Sequence, residues 1–316
     1  MLSTFVLVAV CLLSFSQETV ESSESRFECF VLGRAQDGGM PHLGCEKQCC
    51  VDARNDSKEE YPACLGIHDT QTGKLLLIEA TPAIEKQVSL LHKLSGVSNR
   101  DRTPFDALLL THAHIGHYGG LIQLGREVAS TKEIPTYVTK RMAHFLTTNG
   151  PWSQLVKFKQ ISLRILPDTD RISTTFSPIE DLLVEAIKVP HRDEFSDTVA
   201  FKIHGPNKTV LFVPDIDRWE GNEKLLERLL EGVNVAYIDA TFYDGRELPG
   251  RDMSKIPHPM MIDTMELLST YATEHPGAIR FIHLNHTNPA FSDHDVQRQI
   301  NERGFRIAEQ GERIGL

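Results

Sequence analysis

Apolar residues in this chain come in short runs that stop abruptly, and the stop is repeatedly followed by histidine or aspartate. Residues 107–110 form such a run and read as a buried strand; Thr111 comes next, then His112-Ala-His114-Ile-Gly-His117. Residues 184–189 lead into Pro190-His191-Arg192-Asp193, and 209–213 into Pro214-Asp215-Ile216-Asp217. The run at 233–238 meets Asp239-Ala240-Thr241-Phe242, and Phe281-Ile282 leads into His283-Leu284-Asn285-His286. Helical patterning fills the intervals. Thr81-Pro82 reads as a cap with proline at the first helical position, and Ile84, Val88, Leu91 and Leu94 form one stripe behind it. Asn222 caps a second helix, with Leu225, Leu226, Leu229 and Leu230 inward and Gly232 as its stop. Ser292 with Asp295 approximates a capping box for a third, which Gly304 ends. A terminal strand is expected at 306–308. Residues 97–104 and 244–258 read as the long loops, the second as a candidate lid.

The strand ends carry the chemistry. In layered α/β proteins, loops converge at the carboxyl ends of strands, and the sheet holds their side chains rigid. His112 and His114, two residues apart on extended backbone, project to one side, and His117 folds back over them from the following turn. Converging imidazoles suit a borderline metal such as zinc, or iron. A single strand-end histidine is more often a hydrogen-bonded structural residue. Four strand ends delivering His or Asp in this order resist that explanation.

The order His-x-His-x-x-His, an isolated His, an Asp and a late His resembles the metallo-β-lactamase fold superfamily. Within it, the likeness is to the pyrroloquinoline quinone biosynthesis protein B group and its hydrolase-like relatives. It rests also on Gly33-Arg-Ala-Gln-Asp37-Gly38-Gly39, on Pro190-His191-Arg192-Asp193, on 283–289 and on 304–311. Asp239-Ala240-Thr241-Phe242 resembles the matching segment of the tRNA-processing and phosphodiesterase branches. The resemblance implies an α/β (α+β) four-layer αββα sandwich, two mixed sheets flanked by helices, over a single domain at 27–316. It assigns His112, His114 and His191 to one metal site with Asp215 as the shared carboxylate, and His117, Asp215 and His283 to what remains of the other. His286 stands as an alternative late ligand. The usual motif has aspartate where this chain has Gly116, so the second ion is expected to be weak or absent, and Gly116→Asp to restore it.

Such a site holds Zn2+, with Fe2+ or Mn2+ as alternatives, and activates a water toward an ester, lactone, amide or phosphodiester. Asp215 is the carboxylate that the resemblance implies for catalysis. His258 is the candidate proton donor to the leaving group, against an equal reading as a structural histidine. Asp37 and Asp239 are candidates to orient imidazoles from behind, although Asp37, beside two glycines, reads equally well as a turn residue. The other functions in view are an iron-dependent oxygenase of quinone-cofactor biosynthesis and a non-catalytic binding protein. The latter leaves buried histidines and an aspartate without compensation.

Composition bounds the partners. With 316 residues, 41% hydrophobic, the chain can bury one large core. Its net charge of −10 and lack of basic runs argue against nucleic acid and anionic membranes and favour a small or uncharged substrate, leaving room for a local basic patch near Arg192 and Arg218. A homodimer is one option for its oligomeric state. Residues 1–16 read as a signal peptide and 17–26 as a polar leader, implying a secreted or periplasmic protein without stable membrane insertion. Cys29, Cys45, Cys49, Cys50 and Cys64 then remain. An oxidising compartment favours two disulfides and one thiol, over a structural zinc site at Cys45, Cys49 and Cys50.

Overall fold

The computed structural model describes residues 25–167 and 173–316. The expected signal peptide, and all of the leader except Ser25 and Arg26, lie outside the described residues.

Two seven-stranded sheets form the middle of the molecule. The first is built from β1 (Phe27–Gly33), β2 (Cys64–Asp69), β3 (Lys74–Ile78), β4 (Ala107–Leu109), β5 (Ile134–Val138) and β6 (Ile161–Ile165). The second takes β7 (Ser173–Phe176), β8 (Leu183–Lys188), β9 (Val199–His204), β10 (Thr209–Val213), β11 (Val235–Asp239), β12 (Ile279–Ile282) and β13 (Arg306–Ile307). A last strand, β14 (Arg313–Gly315), returns to pair antiparallel with β1. Pairing is antiparallel from β14 to β3 and parallel from β3 to β6. The second sheet mirrors this, antiparallel from β7 to β10 and parallel from β10 to β13.

The near-continuous apolar runs have a simple cause: both faces of each sheet are buried. In β3, Leu76 and Ile78 pack between the sheets while Leu75 and Leu77 pack under Ile84 and Leu91 of the helix Ile84–Ser95. In β10, Val210 and Phe212 point to the intersheet core, and Leu211 and Val213 face the helices Glu223–Leu230 and Met261–Leu267. Alternation of period two, covered on both sides, gives the four layers. Cutting any of these leucines to alanine costs about 2–5 kcal/mol.

Some local signals were displaced. Thr81 does not cap the first helix; its hydroxyl accepts from Ala83 N at 3.1 Å and donates to Gln87, and the helix starts at Ile84. Asp293 rather than Ser292 caps the helix His294–Glu302, accepting from the backbone of Asp295 and Val296. Residues 244–258 contain only the short 3-10 turn Met253–Lys255, and Arg218 ties that turn down by donating to Met253 O at 2.6 Å and Ile256 O at 3.1 Å. Among the described residues no helix is long and apolar enough to cross a membrane.

Candidate metal centre

The parallel strands end on one edge, where their loops meet. β4 delivers His112 and, through the short helix Ile115–Tyr118 that His114 opens, His117. The loops after β8, β10 and β12 deliver His191, Asp215 and His283. Asp215 Oδ2 stands 3.3 Å from His112 Nε2, 3.7 Å from His114 Nδ1 and 3.1 Å from His191 Nε2, and the last two nitrogens are 3.1 Å apart. Four donors about 2.05 Å from one tetrahedral ion are separated by about 3.3 Å. On its other side Asp215 Oδ2 lies 3.7 Å from His117 Nε2. Asp37 Oδ1 is 3.6 Å from the same nitrogen and 3.8 Å from His283 Nε2.

Four of the imidazoles are oriented from behind by a hydrogen bond at the other nitrogen. His112 Nδ1 bonds Thr111 at 2.9 Å, His114 Nε2 bonds Glu194 at 2.8 Å and His191 Nδ1 bonds Asp217 at 3.2 Å. His283 Nδ1 bonds the Thr241 hydroxyl at 2.9 Å, and His117 Nδ1 faces Glu79 Oε1 at 3.4 Å. Outer partners of this kind fix the tautomer and aim of metal-binding histidines. On the inner side, His112 Nε2, His117 Nε2, His283 Nε2, Asp215 Oδ1 and Asp37 Oδ1 are buried without a hydrogen bond. Buried polar atoms are nearly always paired, so this convergence of orphans fits a divalent metal. Burial, with His117 alongside, pushes His112 well below its ordinary pKa, so the ring is neutral as a ligand requires. Burial alone would raise Asp215, but His258 and the three neighbouring imidazoles hold it well below the carboxylate range. Two residues of the site are held in left-handed backbone, His283 at φ 63° and Glu79 at φ 83°, a strain that surrounding contacts must overcome.

His258 arrives from the end of the 244–258 loop. Its Nδ1 lies 2.9 Å from Asp239 Oδ2 and 3.2 Å from Asp215 Oδ1. Asp239 is fully buried, accepting also from Ile216 N, Thr241 N and the Thr241 hydroxyl. It therefore braces His258 while the Thr241 hydroxyl braces His283. Asp37 is placed differently from the orienting role read in the sequence: it faces His117 and His283 from the inner side, with the other donors.

Three expectations are overturned. His286 does not join the centre; it lies with Cys45 and Cys50, their ligand atoms within 4.8 Å of one another, and its ring stacks on His42 at 4.6 Å. Burial, then His42 and Lys47, lowers its pKa to about 4. The five cysteines are all free, so the disulfides are not formed, and Cys49 stays outside the Cys45–Cys50–His286 group. Gly116 has no room for a side chain, since a Cβ there would meet Asp37 Oδ1 at 1.9 Å and Asp37 Cα at 2.6 Å. Among the residues that sequence reasoning missed, Glu79 carried the same signal as the others, an acid directly after the apolar strand β3. Glu194, Asp217 and Thr241 lie within three residues of a recognised position, but nothing in the sequence says which way they point.

A cavity of about 790 Å³ opens beside the centre, with His258, Asn285 and His286 on its wall. Lys47, Arg192, Arg251 and Lys255 also line it, with Asp252 as its acid. The net negative charge of the chain does not extend to this mouth. Arg218 is not part of the wall; it holds the loop that forms it.

The model of the beta-lactamase superfamily domain matches residues 75–284, a span that includes His112, His114, His117, His191, Asp215 and His283 but not Asp37. The chain belongs to the metallo-β-lactamase superfamily, as the two-sheet fold and the strand-end donors agree. Within it, the chain is similar to coenzyme PQQ synthesis protein B of Methylorubrum extorquens (strain PA1), 24% identical over 316 residues, covering 90% of this chain and 99% of that protein. The crystal structure of Zn(2+)-bound PqqB from Methylobacterium extorquens matches with a TM-score of 0.74 at 20% identity, over 92% of this chain and 100% of that one. A diphosphatase from the PhnP family follows at 0.61 and 16% identity, over 91% and 96%.

Proposed function

We propose that this protein is a metal-dependent hydrolase acting on a small substrate with an anionic group near the bond to be cleaved. The observation that carries the reading is the centre itself: His112, His114, His191 and His283 are braced through the outer nitrogen, and the inner nitrogens of His112, His117 and His283 are buried and unpaired. His112, His114, His191 and Asp215 would hold one ion, and a divalent metal there supplies Lewis acidity and lowers the pKa of a coordinated water. His258, beside the centre and braced by Asp239, is placed to hand a proton to the leaving group. Lys47, Arg192, Arg251 and Lys255 would draw an anionic substrate into the mouth, and the 244–258 loop would limit access of bulk water. The hydrolytic solved structures of the same fold, the PhnP-family diphosphatase among them, agree with this class of chemistry.

The test uses zinc-loaded protein with a chromogenic phosphodiester, a carboxylate-bearing ester and a neutral ester. Hydrolysis of the anionic probes is expected to exceed that of the neutral one, with a preference that shrinks as salt screens the mouth. His114→Ala and Asp215→Ala should lose bound metal and activity while keeping the circular dichroism of the parent. Turnover by the Fe2+ form alone, coupled to oxygen consumption, would overturn the hydrolase reading in favour of an oxygenase.

A further inference from the structure

The superfamily motif at 112–117 lacks its aspartate, and the loop after β1 brings a different aspartate to the same place. We propose that Asp37 supplies the missing carboxylate, completing a second metal site with His117, His283 and the shared Asp215. The inference rests on the reading of the centre as metal-binding and concerns the source of one donor.

Three observations converge on it. Asp37 Oδ1 points at two nitrogens without a hydrogen bond, 3.6 Å from His117 Nε2, which Asp215 Oδ2 also faces at 3.7 Å, and 3.8 Å from His283 Nε2. All three atoms are buried and without a hydrogen bond, although the Asp37 side chain as a whole is 45% exposed. A carboxylate able to turn outward to water instead turns one oxygen inward, towards a space with other unpaired donors. The third observation is steric. A Cβ on Gly116 would lie 1.9 Å from Asp37 Oδ1, 2.6 Å from its Cγ and 2.6 Å from its Cα. The volume beside His117 is therefore already taken by Asp37. Gly116 is not in left-handed backbone, so its requirement is for space and not for an unusual φ. Glycine at 116 and aspartate at 37 are two halves of one exchange.

The loop is built to hold Asp37 there. Gln36 N donates to Leu284 O at 2.8 Å and Leu284 N to Arg34 O at 2.9 Å, which stitches the loop after β1 to the residue following His283. Gly39 N closes the turn on Gln36 O at 2.7 Å, and Gly39 takes φ 67°, where its backbone approaches Glu60 O. Asp37 and His283 thus ride on paired backbone, and their separation is set by main-chain hydrogen bonds. Asp37 gives the second ion a carboxylate that it does not share with the first, so the one-site expectation drawn from Gly116 alone no longer applies.

The experiment measures metal per chain by elemental mass spectrometry after dialysis against zinc at a fixed free concentration, with circular dichroism to confirm folding. Asp37→Asn keeps the shape and removes the charge; it should retain about one ion fewer than the parent, as should Asp37→Ala. The exchange Asp37→Gly with Gly116→Asp should restore the parent count, whereas Gly116→Asp alone should lower it. Equal metal content in parent, Asp37→Asn and Asp37→Ala would overturn the proposal. The metal-binding reading fails by a different result, a parent that retains no more metal than His114→Ala. Should the double exchange misfold, the Asn variant still decides, because metal bound to the Cys45–Cys50–His286 group is common to every variant and cancels in the difference.

Discussion

Asp239 Oδ2 accepts from His258 Nδ1 at 2.9 Å, and this pair sets the aim of a histidine that borders both Asp215 Oδ1 and the cavity mouth. Truncating the ring should separate chemistry from metal binding. His258→Asn is expected to lower kcat about 10²- to 10⁴-fold while leaving metal content at the parent level, checked by steady-state kinetics beside elemental analysis. A matching loss of metal would place His258 among the ligands instead.

Glu79 stands behind His117. Its carboxylate is fully buried, accepts from the Thr111 hydroxyl and faces His117 Nδ1. Glu79→Gln should weaken binding of the ion that His117 serves by about 10- to 100-fold, read by competition with a chromophoric chelator. An unchanged affinity would mean that His117 needs no brace.

Arg218 tethers the 244–258 loop to the body near Met253, while Glu247, accepting from Asn285 and Thr287, and His258, bonded to Asp239, hold it elsewhere. Losing its two hydrogen bonds to Met253 O and Ile256 O in Arg218→Ala forfeits about 1.5–3 kcal/mol. Proteolytic cleavage inside 244–258 should then run about tenfold faster or more, with KM raised more than kcat is lowered. Cleavage at the parent rate would show that the loop is held by other contacts.

The cysteines give a direct chemical readout. With Cys29, Cys45, Cys49, Cys50 and Cys64 unpaired, denatured protein kept from reductant should alkylate at all five positions, as mass spectrometry counts them. Two disulfides would restore the compartment argument. Burial pushes the Cys29 thiol far above its ordinary pKa and that of Cys50 up to about 11, so in the native protein both should react slowly.

What the sequence revealed follows from how each residue type makes itself visible. Strands buried on both faces leave unbroken apolar runs, so β4, β8, β10, β11 and β12 and the residues at their ends were legible, as was the layered architecture. β14, three residues long, leaves no periodicity to detect. Caps were misread where a neighbour had better geometry: Asp293 competes with Ser292 one position away. His286 looked like a ligand because it stands three residues after His283, yet the turn between them sends it to the cysteines. Asp37 was ambiguous because its role depends on space left by a glycine 79 positions later, a relation that no local pattern encodes.

The mirrored order of the two sheets has a consequence for assembly of the centre. His112, His114, His117 and Asp37 come from the first sheet and its loops; His191, Asp215 and His283 come from the second. Each donor group draws on both, so neither half of the chain can chelate strongly alone. A chain with only one sheet formed would offer two ligands to each donor group, too few to hold a metal ion tightly. Metal uptake would then follow the closing of the sheets on each other, and a captured ion would act as a rivet across the seam. Loading would then report completed folding, and a chelator would loosen the molecule along the line between its two sheets.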